Sequence, residues 1–162
     1  MDNPDLTFRP MRRFKQQATA EECRAILQSA QRGFLAVHGE GGYPYALPIN
    51  FAYHEDKVWF HCAMEGHKLD AIRTHDKVCF TVLNEGFRNE GEWWNNFTSV
   101  ICFGRLRVVD DDQLKDKMLR VIGNKYFPEG YDIEHDIEKN APRALILEMS
   151  IEHMTGKKVR EK

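Results

Sequence analysis

The 162-residue sequence lacks any apolar run near the roughly 18 residues of a membrane span, and its start, MDNPDLTFRPMRRF, lacks the apolar centre of a secretory signal. It also lacks a CxxC pair. Its four cysteines, Cys23, Cys62, Cys79 and Cys102, are widely spaced and three lie in apolar runs, which suits small buried thiols in a reducing compartment rather than a disulfide framework. Charge of either sign is not in excess: the net charge is −2, so nothing calls for a polyanionic partner. The one basic cluster, Arg9, Arg12, Arg13 and Lys15, reads as a solvated terminal segment before a nucleic-acid arm. Internal repeats and low-complexity segments are missing too. These absences leave a soluble, cytoplasmic protein with no membrane or nucleic-acid partner as the expectation.

What is present is enough for a core. Apolar residues make up 42 % of the chain, and its length suits one domain. TAEECRAIL opens a helix, with Thr19 as N-cap and Glu22 three residues on, the capping-box spacing. The apolar period then falls to two. GFLAVH (33–38), YALPINFAY (45–53), KVWFHCA (57–63), KVCFTVLN (77–84), TSVICFGRLRVV (98–109) and RALILEMSIEHM (143–154) read as six strands, antiparallel by their short links. In 45–53, Tyr45, Leu47, Ile49, Phe51 and Tyr53 face one way and Ala46, Pro48, Asn50 and Ala52 the other. KVCFTVLN is apolar almost throughout, which predicts a strand covered on both faces. Pro48 marks an edge, a bulge or an opening of the ladder. HKLDAIRTH (67–75) and DDDQLKDKMLRVIGNKYF (110–127) read as helices, with Leu114, Met118, Val121 and Ile122 on the buried face of the second. The result is an α+β domain or a small barrel with flanking helices.

The stretch FHCAMEGHKLDAI (60–72) raises the chemical question. A metal reading needs His61, Cys62 and His67 to converge, but neighbours on a strand point to opposite faces, and no second ligand pair exists. An anion reading fits better. The first N–H groups of a helix starting near Gly66 or His67 have no internal partners and carry partial positive charge. Glycine allows close approach, Lys68 adds a full charge and His67 a donor. A solvated lysine is the bland alternative.

GYPYALPINF, VWFHCAMEGHKLDAI and KVCFTV, followed by SVICFG, NKYF and EHMTGKK, resemble the pyridoxamine 5′-phosphate oxidase-related flavoproteins. Within them the chain is most similar to the 5-nitroimidazole-resistance (NimA-type) nitroreductase branch, over roughly residues 9–158. The resemblance implies a mainly β fold with flanking helices: an FMN-binding split β-barrel of about six antiparallel strands over 19–158, after an N-terminal extension (1–18) and before a tail (159–162). It implies a homodimer with FMN in clefts shared between subunits. Pro48, Ile49, Asn50 and Phe51 would lie along the flavin ring, His61, Cys62 and Ala63 along the ribityl and phosphate path, His67 and Lys68 at the phosphate, and Ser99 and Val100 on a strand approaching the cleft. Either His61 or His67 is a candidate catalytic histidine, with a structural hydrogen bond as the other role for each. Trp93 and Trp94, in a loop individual to this chain, would stack over flavin or substrate, or else pack at a dimer surface. Gly156-Lys157 would close over the site, or fray. The arginine-histidine constellation of true pyridoxamine-phosphate oxidases is missing, which argues against vitamin B6 oxidation. The expected activity is FMN-dependent reduction of nitroaromatics such as 5-nitroimidazoles, with an unknown electron donor. The rivals are a non-enzymatic flavin-binding or sensing module and a haem- or deazaflavin-using relative.

Overall fold

Alternating apolar residues build most of the chain into antiparallel strands in the computed structural model, which describes residues 8–160. Residues 1–7 of the expected extension and 161–162 of the expected tail lie outside the described residues. In chain order the elements are β1 (Gln17–Ala18), α1 (Ala20–Ser29), β2 (Gly33–His38), β3 (Pro44–Ile49), β4 (Ala52–His54), β5 (Lys57–Ala63), α2 (His67–Thr74), β6 (Lys77–Leu83), β7 (Phe97–Val108), α3 (Asp112–Tyr126), α4 (Ile133–Asn140) and β8 (Ala144–Val159). The Thr19–Glu22 capping box forms as its spacing predicts: the Glu22 N–H donates to Thr19 Oγ1 and the Thr19 N–H to Glu22 Oε2.

The eight strands form one sheet in the order β3-β2-β6-β7-β8-β5-β4, with β1 added on β8. Two more strands are present than the sequence predicts, and one reason is instructive. The expected strand 45–53 is divided: β3 and β4 lie at opposite ends of the order, yet only Asn50 and Phe51 separate them in the chain. Three peptide steps span at most about 11 Å. The sheet must therefore curl until its two edges almost meet, giving a barrel left unclosed by one slit. The side-chain alternation survives the break. Tyr45, Leu47, Ile49 and Tyr53 pack with Phe51 on the inner core, while Ala52 faces out. The second extra strand is the two-residue β1.

β8 is the spine of the sheet. Its first half pairs with β5, residues 147–159 pair with β7, and Lys157 and Gly156 pair with Gln17 and Ala18 of β1. It runs five residues beyond the expected end at 154. A register shift opposite Phe103/Gly104 leaves Glu152 as the extra residue of a β-bulge, which bends the long β7–β8 pair.

Two cores result. The barrel interior holds Leu35, Val37, Val58, Phe60, Phe80, Val82, Val100, Cys102 and Leu147, with Leu27 of α1 and Leu69 of α2 packed into the same cluster. A second core lies outside, where Met118 and Ile122 of α3 cover Ala52, Trp59 and Ile146. Adjacent Trp59 and Phe60 thus feed different cores, as the period of a strand requires. The Asp132 side chain caps α4 by accepting from the His135 N–H.

One expectation is overturned. β6 is not covered on both faces: Val78, Phe80 and Val82 are buried, while Cys79 and Thr81 are half-buried and Lys77 and Leu83 are exposed. Among the described residues no helix packs over this outer face.

Candidate functional site

The slit opens into a cleft of about 490 Å³ lined by Pro48 and Ile49 at the end of β3, Asn50 in the crossover, Arg32 just before β2, and His61 on β5. This volume is in the range of small-molecule sites. Pro48 stands opposite Phe34 at the edge strand β3, where a missing N–H costs nothing because no further strand asks for it. His61 and Ala63 share the exposed face of β5, and Cys62 between them is buried. The surroundings of His61 disfavour its charge: desolvation lowers the imidazolium pKa, and the nearby Lys68 ammonium lowers it further. His61 is therefore neutral at pH 7.

Gly66 caps α2 with φ 132° and ψ 164°, a backbone conformation closed to side-chain-bearing residues, and open space surrounds its α-carbon. The first bond closed by the helix runs from the Leu69 N–H to the Gly66 carbonyl. The amides of His67 and Lys68 precede it and point out of the helix end, the arrangement that receives an anion. The His67 ring stacks on Tyr45 at 4.2 Å and 11°. This contact ties the start of α2 to β3, the strand that carries Pro48 and Ile49. Lys68 acts electrostatically on both His61 and Cys62. The helix end therefore adjoins the strand that carries His61, while the His67 side chain lines a neighbouring hollow with His38, Asp70 and His75.

The other candidate residues fall elsewhere. The Phe51 ring is fully buried, edge-on to Phe80 at 4.8 Å. Cys62 and Val100 also face the interior, and burial raises the Cys62 thiol pKa. Side chains at these three positions do not reach the cleft. Ser99 lies on the outer face of β7, in a separate hollow with Ile101, Phe103, His153, Thr155 and Lys157. Trp93 and Trp94 pack against each other edge-to-face at 5.7 Å, with Trp93 77 % exposed, and neither lines the cleft. Gly156 and Lys157 lie within β8 rather than in a frayed tail. Gly156 is paired with Val100 and Ala18, and a β-carbon there would collide with Cys23 and Ala18.

Three residues go unassigned in the sequence reading. Arg32 supplies a cation to the cleft lining. Lys125 and Tyr126 lie beneath the crossover: the Phe51 N–H donates to Tyr126 Oη at 2.8 Å, and Lys125 Nζ is 4.0 Å from the Phe51 ring centroid. Residues 124–127, NKYF, mark these two in sequence, but nothing local says what they hold.

A sequence model of the family described as pyridoxamine 5′-phosphate oxidase matches residues 19–158. No curated protein matches the chain. Among solved structures, a candidate 5-nitroimidazole antibiotic resistance protein from Bacteroides thetaiotaomicron superposes with TM-score 0.72 at 22 % identity, over 86 % of this chain and 83 % of that one. An FAD-binding protein from Mesorhizobium loti gives 0.65 at 20 %, over 89 % and 97 %. An FAD- and haem-binding protein from Mycobacterium smegmatis gives 0.72 at 19 %, over 90 % and 74 %.

Proposed function

The chain belongs to the pyridoxamine 5′-phosphate oxidase family of flavin-binding split barrels, and from that premise we propose that it is a homodimeric FMN-dependent oxidoreductase that reduces nitroaromatic compounds. The observation that carries this reading is the placement of an anion-receiving helix start, Gly66 to Lys68, directly after β5, whose His61 lines the cleft. One molecule with a flat ring and a phosphate tail suits both ends.

The residues fit the group. The amides of His67 and Lys68, the Lys68 ammonium and the Gly66 turn would take the phosphate. Pro48, Ile49 and Asn50 would lie along the ring. Bound flavin would supply the electron transfer to a nitro group held against it. His61, neutral at pH 7, acts as a hydrogen-bonding group rather than a proton source. Arg32 places a cation where an acceptor gains negative charge. The apolar cleft wall of Pro48 and Ile49 limits water.

The dimer is supported by the outer face of β2, β6 and β7. Phe34, Leu83, Ile101 and Phe103 are 50, 47, 36 and 40 % exposed there, a patch that soluble monomers seldom leave open. Covering it with a second copy would bury β6 on both faces, as its sequence reads.

The test is the visible spectrum of purified protein, with identification of the released chromophore and anaerobic turnover of a 5-nitroimidazole. Bound FMN and nitro reduction are expected. Two of the structural relatives bind FAD by their descriptions, so FAD is the second reading, and release separates the two cofactors. Bound flavin without turnover leaves a binding module, and a colourless protein refusing both flavins overturns the proposal. Lys68→Ala weakens FMN binding by about 1–3 kcal/mol, the scale of a charge-assisted hydrogen bond. Titration by fluorescence quenching measures it, and unchanged affinity removes Lys68 from the cradle.

A further inference from the structure

Where β3 gives way to β4, Phe51 leaves the ladder with a buried N–H and carbonyl to satisfy. The last turn of α3, 75 residues further along the chain, supplies the partner. Tyr126 Oη accepts the Phe51 N–H at 2.8 Å and stands 2.9 Å from the Phe51 carbonyl and 2.6 Å from the Gln31 carbonyl, its single proton serving one of these. Lys125 Nζ donates at 2.6 Å to the carbonyl of Ala30, the C-cap of α1, with its ammonium over the Phe51 ring. A cation on terminal helix carbonyls is favourable for both charge and hydrogen bonding.

Two neighbouring side chains therefore tie together three segments: the end of α1, the crossover and α3. The next residue after Gln31 is Arg32, and the residue before Phe51 is Asn50. Both line the cleft. We infer that Lys125 and Tyr126 are positioning residues, which fix the placement of Arg32 relative to Asn50 across the cleft and so set how tightly it grips flavin. This rests on the proposed flavin reading of the cleft. Burial supports it from the side of the clamp: Lys125 and Tyr126 are half-buried, and desolvation brings the Lys125 pKa down to about 8. Neither residue touches the cleft itself, which separates their role from that of a ligand.

The test uses Tyr126→Phe and Lys125→Met in the full chain. Without ligand, amide hydrogen exchange at Phe51 is expected to quicken about tenfold in Tyr126→Phe, the scale of one lost hydrogen bond, while amides of the β7–β8 pair hold their protection. With FMN, both variants are expected to bind about tenfold more weakly, with visible bands moved toward those of free flavin. Unchanged exchange at Phe51 overturns the clamp. Faster exchange with wild-type affinity and spectrum reduces it to an ordinary structural bond and overturns the positioning role. If Tyr126→Phe fails to fold, Lys125→Met carries the same readouts from the α1 side. Wild-type protein that takes up neither FMN nor FAD overturns the flavin reading and the positioning role with it. That failure is distinguishable because the exchange result needs no ligand.

Discussion

Gly66 shows how one residue can matter for function more than for packing. Its φ of 132° excludes side-chain-bearing residues, yet a β-carbon there would meet nothing within 4 Å. Gly66→Ala thus costs only backbone strain, on the order of 1–3 kcal/mol, or relaxes by turning the helix end. The expected result is a larger loss of FMN affinity than of thermal stability, and calorimetry alongside flavin titration compares the two. Cys102 makes a pH prediction. It is fully buried, and burial raises its pKa to about 12. Between the unfolded thiol's ordinary range and about pH 12 the unfolded chain loses a proton that the folded chain keeps. Stability therefore falls as pH rises through that window. Denaturant titrations at successive pH values should show the decline in wild type and a shallower one in Cys102→Ala. The residue scale was partly legible. Alternation over 45–53 puts Tyr45, Leu47, Ile49, Phe51 and Tyr53 on one face and Ala52 on the other, as the two cores do, and strand-to-helix spacing marks Gly66 and Lys68 as a candidate anion site beside the bland reading of a solvated lysine. The motif would place the backbone of Phe51 along the flavin, and alternation turns its side chain inward, where the ring is buried.

Among the elements, α1 combines one legible feature and one hidden one. Its start was readable because a capping box is local: Thr19 and Glu22 are three residues apart. Thr19→Ala is expected to lose about 1 kcal/mol, measured by denaturant unfolding, with flavin affinity unchanged. Its seat on the sheet was not readable, since Gly156 looks like a tail glycine until β8 is known to continue to Val159 and Cys23 to lie against it. Gly156→Ala should destabilise by about 1–3 kcal/mol through overpacking between Cys23 and Ala18. The slit was hidden for a similar reason. Pro48 announced an opening, but the break falls two residues later, where Tyr126 replaces the ladder from 75 residues away. Long-range hydrogen bonds leave no periodic trace.

For the whole molecule, the fold class followed from six alternating runs, and the missing strands were those too short or too divided to show a period. The outer apolar face is present in the sequence as the largely apolar β6, and among the described residues Phe8, stacked on Phe103, covers only part of that face. A charge on that face should separate a dimer. Ile101→Glu is expected to elute as a folded monomer in size-exclusion chromatography and to lose FMN. A variant that stays dimeric would place the interface elsewhere.

The central place of β8 has a consequence for biosynthesis. This strand is the last of the described ones, yet it supplies the neighbour of β5, β7 and β1. Until it has left the ribosome, β5 and β7 each keep an unpaired edge, and the pairing of residues 17–18 with 156–157 spans nearly the whole described chain. Barrel closure is therefore a late and slow event, and a nascent chain stopped before Ala144 should depend on chaperones to stay dispersed.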